Sequence, residues 1–219
     1  MVEVNRRAFL SAAATAAAAV LADDDKLTDG GYAEVSPPGM PARKTPIVPP
    51  GAKGLGNFGR RCVGCQLCVA QCPNQVLRPL KARHPGAPLE VLQPVMGFER
   101  GYCRPECTAC GEVCPAGAIR PITPREKKSI HVGHAVWNKD LCLAAAEGVM
   151  CHACERHCPA GAITLVPTDV ADKKAPKVPK VDEAKCIGCG ACEHLCPARP
   201  LPAMTVEGFG RHRGDSANL

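Results

Sequence analysis

Cys186-Ile187-Gly188-Cys189-Gly190-Ala191-Cys192-Glu193-His194-Leu195-Cys196-Pro197 is the stretch on which the reading of this chain turns. Four cysteines stand at the spacing C-x2-C-x2-C-x3-C with a proline after the last, the ligand run of a bacterial-type [4Fe–4S] cluster. Three cysteines two residues apart can curl around one cubane, each thiolate reaching a different iron. The fourth begins a helix or turn that carries its sulfur away, as a rule to a second cluster. Gly188 and Gly190 are expected to let the backbone pass close to the inorganic sulfides and aim N–H groups at them. A lone CxxC would leave a zinc site or a disulfide open; the full run argues against both.

The run repeats three times upstream. Cys62, Cys65, Cys68 and Cys72, followed by Pro73, have the same spacing. In Cys103, Cys107, Cys110 and Cys114, followed by Pro115, the first gap is one residue wider. In Cys142, Cys151, Cys154 and Cys158, followed by Pro159, it widens to eight residues. All 16 cysteines are thereby used, which leads us to expect four [4Fe–4S] clusters held by those sixteen thiolates. Aromatic residues make up only 3% of the chain, while Pro (22) and Gly (21) abound. Little conventional core is therefore expected, with metal–thiolate bonds in its place and a largely unfolded apo-protein. The formal net charge is +6. Each oxidised cluster with its four thiolates carries roughly −2, so the basic residues read as counter-charge. No nucleic-acid-binding signature accompanies them.

Ahead of the cysteines, Asn5-Arg6-Arg7-Ala8-Phe9-Leu10 and an alanine-rich run to Ala22 resemble a twin-arginine export signal, with Arg6 and Arg7 as its determinants. The apolar run is shorter than the ~20 residues of a spanning helix, so no membrane span is expected. Val20-Leu21-Ala22 offers a cleavage site, and no cysteine follows for a lipid anchor. The expected location is the periplasm, reached in the folded state, with membrane association if the signal is retained. Residues 23–57 read as a proline-rich extended lead-in, either a tether or a segment packed along the cluster domains.

Short β-prone stretches flank the motifs. Val132–Trp137 precedes the third and Ala162–Val166 follows it; Val178–Val181 precedes the fourth and Met204–Val206 follows. Asp172–Lys180 serves as the connection and exposed edge between them. In the first half only Val76-Leu77 and Val95–Phe98 qualify, joined by the proline-punctuated loop 78–94. The fold class expected is α+β: two ferredoxin-like modules of the bacterial two-cluster type in tandem, with small hairpins and short helices around the clusters. Their bounds are 58–127 and 128–208, with a flexible tail at 209–219.

The twin arginines, Pro49-Pro50-Gly51-Ala52, the regular first and last motifs and the stretched third together resemble the NapG/MauM group of exported ferredoxin-type proteins over nearly the whole length. The resemblance implies electron transfer from a membrane quinol dehydrogenase toward a periplasmic redox enzyme. The second motif departs from the group, whose wide gap there falls between the second and third cysteines. The redox class therefore carries over more safely than any particular partner.

Three histidines lie within motifs (His152, His157, His194), where they either couple protons to reduction or simply face outward, the latter being favoured. Trp137 reads as a packing anchor, and Arg211-His212-Arg213 as a docking patch or a solvated terminus. No Walker loop, GxGxxG or nucleophile–base pair is present, and no motif lacks a cysteine, so an electron carrier without its own substrate site is expected. The rival is a non-redox assembly or maturation factor with structural clusters. Fourth cysteines can be exchanged sequentially, first motif with second and third with fourth, or in a nested order, first with fourth and second with third. The hairpin between motifs three and four favours the sequential order.

Overall fold

The computed structural model describes residues 41–169 and 175–214, with two short strands upstream, β1 (Leu27–Thr28) and β2 (Glu34–Val35), paired antiparallel. The arginine pair Arg6-Arg7, the cleavage site, the start of the lysine-rich connection and residues 215–219 lie outside the described residues. Met1–Pro37 forms a unit by itself, and the rest concerns Pro38–Leu219.

Each motif places its third cysteine on a short helix and its fourth just past the helix end. These helices are α2 (Leu67–Gln71), α3 (Ala109–Glu112), α6 (Ala153–Arg156) and α7 (Ala191–His194). That is the local meaning of the x3 gap: about one helical turn separates the two sulfurs and sends them in different directions. Before Cys62 comes a helix rather than a strand, α1 (Leu55–Arg61), which buries Leu55 and Phe58 at i, i+3 and leaves Arg60 and Arg61 in solvent. The long gap of the third motif holds one turn, α5 (Leu143–Ala146), followed by the exposed residues 147–150.

Three further two-stranded antiparallel sheets complete the fold. β3 (Leu77–Pro79) pairs with β4 (Pro94–Met96), closing at Pro79 opposite Pro94, where neither residue has an N–H to continue the ladder. β6 (Ile163–Pro167) pairs with β7 (Lys177–Val181), whose Pro179 suits an edge strand. β5 (His131–Trp137) pairs with the long final strand β8 (Met204–Arg213). The second half thus has the two-sheet plan read from its sequence. In the first half only β3–β4 forms. Beyond the second motif, Arg120 N–H instead donates to the Gly51 carbonyl at 3.1 Å.

Four expectations need correction. The lead-in does not stay extended to residue 57, because α1 starts at Leu55. Residues 41–57 are packed: Ile47, Val48 and Ala52 are buried. Their carbonyls stitch the halves together, Thr45 accepting from Gly208 N–H, Ile47 from Met96, Gly51 from Arg120 and Lys53 from His212. The boundary at residue 127 falls inside helix α4 (Pro124–Ser129). One core runs through both halves, including Phe58, Leu89, Phe98, Ile119, Ile130, Val132, Met204 and Val206, so more side-chain burial is present than the few aromatics suggested. Finally, β8 continues to Arg213 because Met204, Val206, Gly208 and His212 face inward. Arg211-His212-Arg213 is therefore strand, with the Arg213 guanidinium 3.9 Å from the Phe209 ring centroid.

Candidate metal centres

The sixteen cysteines form no disulfide; they gather in fours, and each four exchanges its last member with a neighbour. Cys62, Cys65 and Cys68 line one cavity together with Cys114 (site one). Cys103, Cys107 and Cys110 line another with Cys72 (site two). Cys186, Cys189 and Cys192 share a third with Cys158 (site four). Around the remaining group (site three), Cys196 packs against Cys142, and the Cys154 thiol feels both Cys151 and Cys196. The exchange is therefore sequential, within each half.

The fourth cysteines are oriented by backbone N–H groups from the chain that follows them. Val76 donates to Cys72 Sγ at 3.3 Å, Ile119 to Cys114 at 3.4 Å, Ala162 to Cys158 at 3.2 Å and Ala203 to Cys196 at 3.3 Å. A donor aimed at sulfur stabilises a thiolate. Burial acts the other way on the free thiols. It pushes Cys68 and Cys154 up to about 11, Cys110 and Cys189 to about 12, and Cys192 well above its ordinary value, with neighbouring thiols adding to each. Such thiols keep their protons until a cation displaces them, so metal loading releases protons. Among the described residues no three His, Cys, Asp or Glu side chains converge on a lone metal ion. The quartets of sites one, two and four line cavities, which suits a polynuclear iron–sulfur group.

The halves meet at sites two and four. Cys103 N–H donates to the Cys189 carbonyl at 2.9 Å, and the two thiols act on each other electrostatically. Cys68 similarly acts on Cys110 between sites one and two. These contacts place site two between sites one and four.

Several residues that shape the sites carried no sequence signal of their own. Lys127, buried on α4, donates to the Arg104 carbonyl at 2.6 Å and to that of Cys107. The helix that places it was announced by Thr123-Pro124-Arg125-Glu126, whose T-x-x-E spacing is a capping box. Glu193, inside the fourth motif, is buried; it pairs with Arg43 at 2.6 Å and accepts from Val206 N–H at 2.7 Å. Burial pushes its carboxyl up to about 7 against the pull of that arginine. Gly188 and Gly190 sit at φ +73° and +81°, and their missing Cβ atoms make room for Gly133 and for the Phe98 ring. Their demand is thus set by protein packing. Of the motif histidines, His194 bonds the Phe98 carbonyl through Nδ1 at 2.8 Å. His157 borders a surface groove with Tyr102, Arg104, Glu106 and Lys128. Trp137 packs partly buried against the core.

The model of the 4Fe-4S dicluster domain matches residues 61–118 and 149–199, spans that hold every cysteine except Cys142. The methylamine utilization ferredoxin-type protein MauM of Methylobacillus flagellatus is 35% identical over 69% of this chain, which spans 64% of that relative's length. MauM of Methylophilus methylotrophus is 32% identical over 71% of this chain and 69% of its own length. Ferredoxin-type protein NapG of Escherichia coli K12 is 32% identical over 76% of this chain and 75% of its own. With cysteine quartets built for [4Fe–4S] clusters and relatives matched over most of its length, this chain belongs to the ferredoxin-type iron–sulfur proteins of the MauM and NapG group.

Proposed function

We propose that this protein is an exported electron carrier with four [4Fe–4S] clusters, relaying electrons between a membrane quinol-oxidising partner and a periplasmic redox enzyme. The observation that carries it is the exchange of fourth cysteines, which completes four quartets from four motifs with no cysteine to spare. Bound clusters supply reversible one-electron chemistry with little rearrangement. The chain's part is to hold them at fixed spacing, surround them with buried apolar side chains and direct N–H groups at their sulfurs. The contacts of site two with sites one and four support a relay. With four cysteines to each site, no iron is left open to a substrate, which favours a carrier over an enzyme. Among the described residues no helix is long and apolar enough to cross a membrane.

The test is chemical and cellular. Anaerobically purified protein should hold about 16 iron and 16 acid-labile sulfide and be reduced reversibly by quinol-supplied membranes. Replacing Arg6 and Arg7 by lysine should retain loaded protein in the cytoplasm. A full iron complement without reversible reduction would favour the assembly-factor reading instead.

A further inference from the structure

Lys127 lies 5% exposed in the interior. Its ammonium touches the Arg104 and Cys107 carbonyls, and none of the described ion pairs gives it a carboxylate. A buried ammonium is costly unless opposite charge compensates it, and two carbonyl dipoles do not neutralise a whole charge. The compensation stands next to it. Lys127 lines the site-two cavity together with all four of its cysteines, Cys72, Cys103, Cys107 and Cys110, and its charge acts on the Cys103 and Cys110 thiols. It also borders the small gap between Cys103 and Cys189.

The cavities of sites one and four are lined by no basic side chain, and at site three Arg199, which donates to the Cys196 carbonyl at 2.6 Å, is exposed to solvent. At site four the nearby charges are acidic, Glu183 beside Cys186 and Glu193 beside Cys192, the latter partly offset by Arg43.

We propose that Lys127 is a built-in counter-charge that gives site two the highest reduction potential of the sites, making it the position where an electron rests before crossing between the halves. The proposal rests on the electron-carrier reading. Its physical basis is that each added electron makes a thiolate-ligated group more negative, and a fixed cation in a low-dielectric interior favours the reduced form. Acidic neighbours do the reverse at site four, so the contact between Cys103 and Cys189 spans a step in potential.

The experiment is an EPR-monitored potentiometric titration of the full-length loaded protein, comparing wild type with Lys127→Met, Lys127→Gln and Lys127→Arg. The centre that reduces first in wild type should move to lower potential in Lys127→Met while the other centres shift less, and Lys127→Arg should leave it near its place. The same signal should be the one altered by Cys107→Ser, a site-two substitution. If Lys127→Met does not load site two, Lys127→Gln decides, because its amide still donates to the two carbonyls but carries no charge. A fully loaded Lys127→Gln protein with unmoved potentials overturns the proposal, as does a shift confined to a centre insensitive to Cys107→Ser. Loss of site two from both neutral variants but not from Lys127→Arg supports the counter-charge. Failure of the wild type to be reduced reversibly would overturn the carrier reading itself.

Discussion

At the scale of single residues, a position in this chain matters through what its atoms meet, and Gly190 shows how. A Cβ there would run into the Phe98 ring, and its φ of +81° is one that side-chain-bearing residues rarely adopt. Gly190→Ala should therefore destabilise the loaded protein by about 2–3 kcal/mol in denaturant titration. Gly210→Ala, with nothing within 4 Å and no positive φ, should stay within about 0.5 kcal/mol. Cys142 is tested differently. It packs beside Cys196 although it lies outside the span matched by the dicluster model. Cys142→Ser should convert one centre to a three-iron form or empty it, and an unchanged iron count and EPR spectrum would strike it from the ligands. The cysteines were legible because ligand chemistry fixes both their type and their spacing. The reason for Gly190 was not, since a glycine in a motif does not say whether cofactor or ring needs the room.

Among the elements, α4 joins local sequence to site chemistry. Thr123 accepts from Glu126 N–H at 3.2 Å, and the Glu126 carboxylate accepts from Thr123 N–H at 2.7 Å. These bonds hold the Glu126 carboxyl below its ordinary range. Thr123→Ala removes one half of the box and should cost about 1 kcal/mol, measured by the shift of the denaturation midpoint. Because the helix places Lys127, the variant should also broaden the EPR signal of site two. The strands of the second half could be read ahead of the structure because β-branched residues there bracket the motifs. The first half was harder: its missing second sheet is replaced by single hydrogen bonds from the lead-in, which leave no alternation to detect. The same segment explains why α1 was unforeseen, as two buried side chains in a seven-residue helix are too few to set a period.

For the molecule as a whole, the lead-in behaves as a strap across two halves that share one core. Its strongest side-chain anchor is Arg43–Glu193, with side chains 9% and 3% exposed. Arg43→Ala should cost about 3 kcal/mol by leaving a buried carboxylate unpaired, and Glu193→Gln should cost about as much by stranding the Arg43 guanidinium, whose side chain is only 9% exposed. Limited proteolysis near residue 45 should accelerate in both variants. Stripping the iron with a chelator should unfold both halves in one step by far-UV circular dichroism, because the core cluster is continuous and the metal bonds are part of it. Two separate transitions would show that the halves stand independently. Continuity of this kind was hidden in the sequence, where the repeats suggest a seam; it comes from side chains distant in the chain, Ile47 and Val206 among them.

The exchange of fourth cysteines also sets a calendar for biosynthesis. Site one cannot be completed until the ribosome has added Cys114, and site three must wait for Cys196. The first half can therefore gather its ligands while the second is still being translated. The strap is then fastened only in part: Ile47 and Gly51 can accept from Met96 and Arg120, but the bonds from Gly208 to Thr45 and from His212 to Lys53 wait for the final strand. A nascent chain halted after residue 200 would have all sixteen cysteines in hand and still lack these two bonds, for which β8 is the clasp.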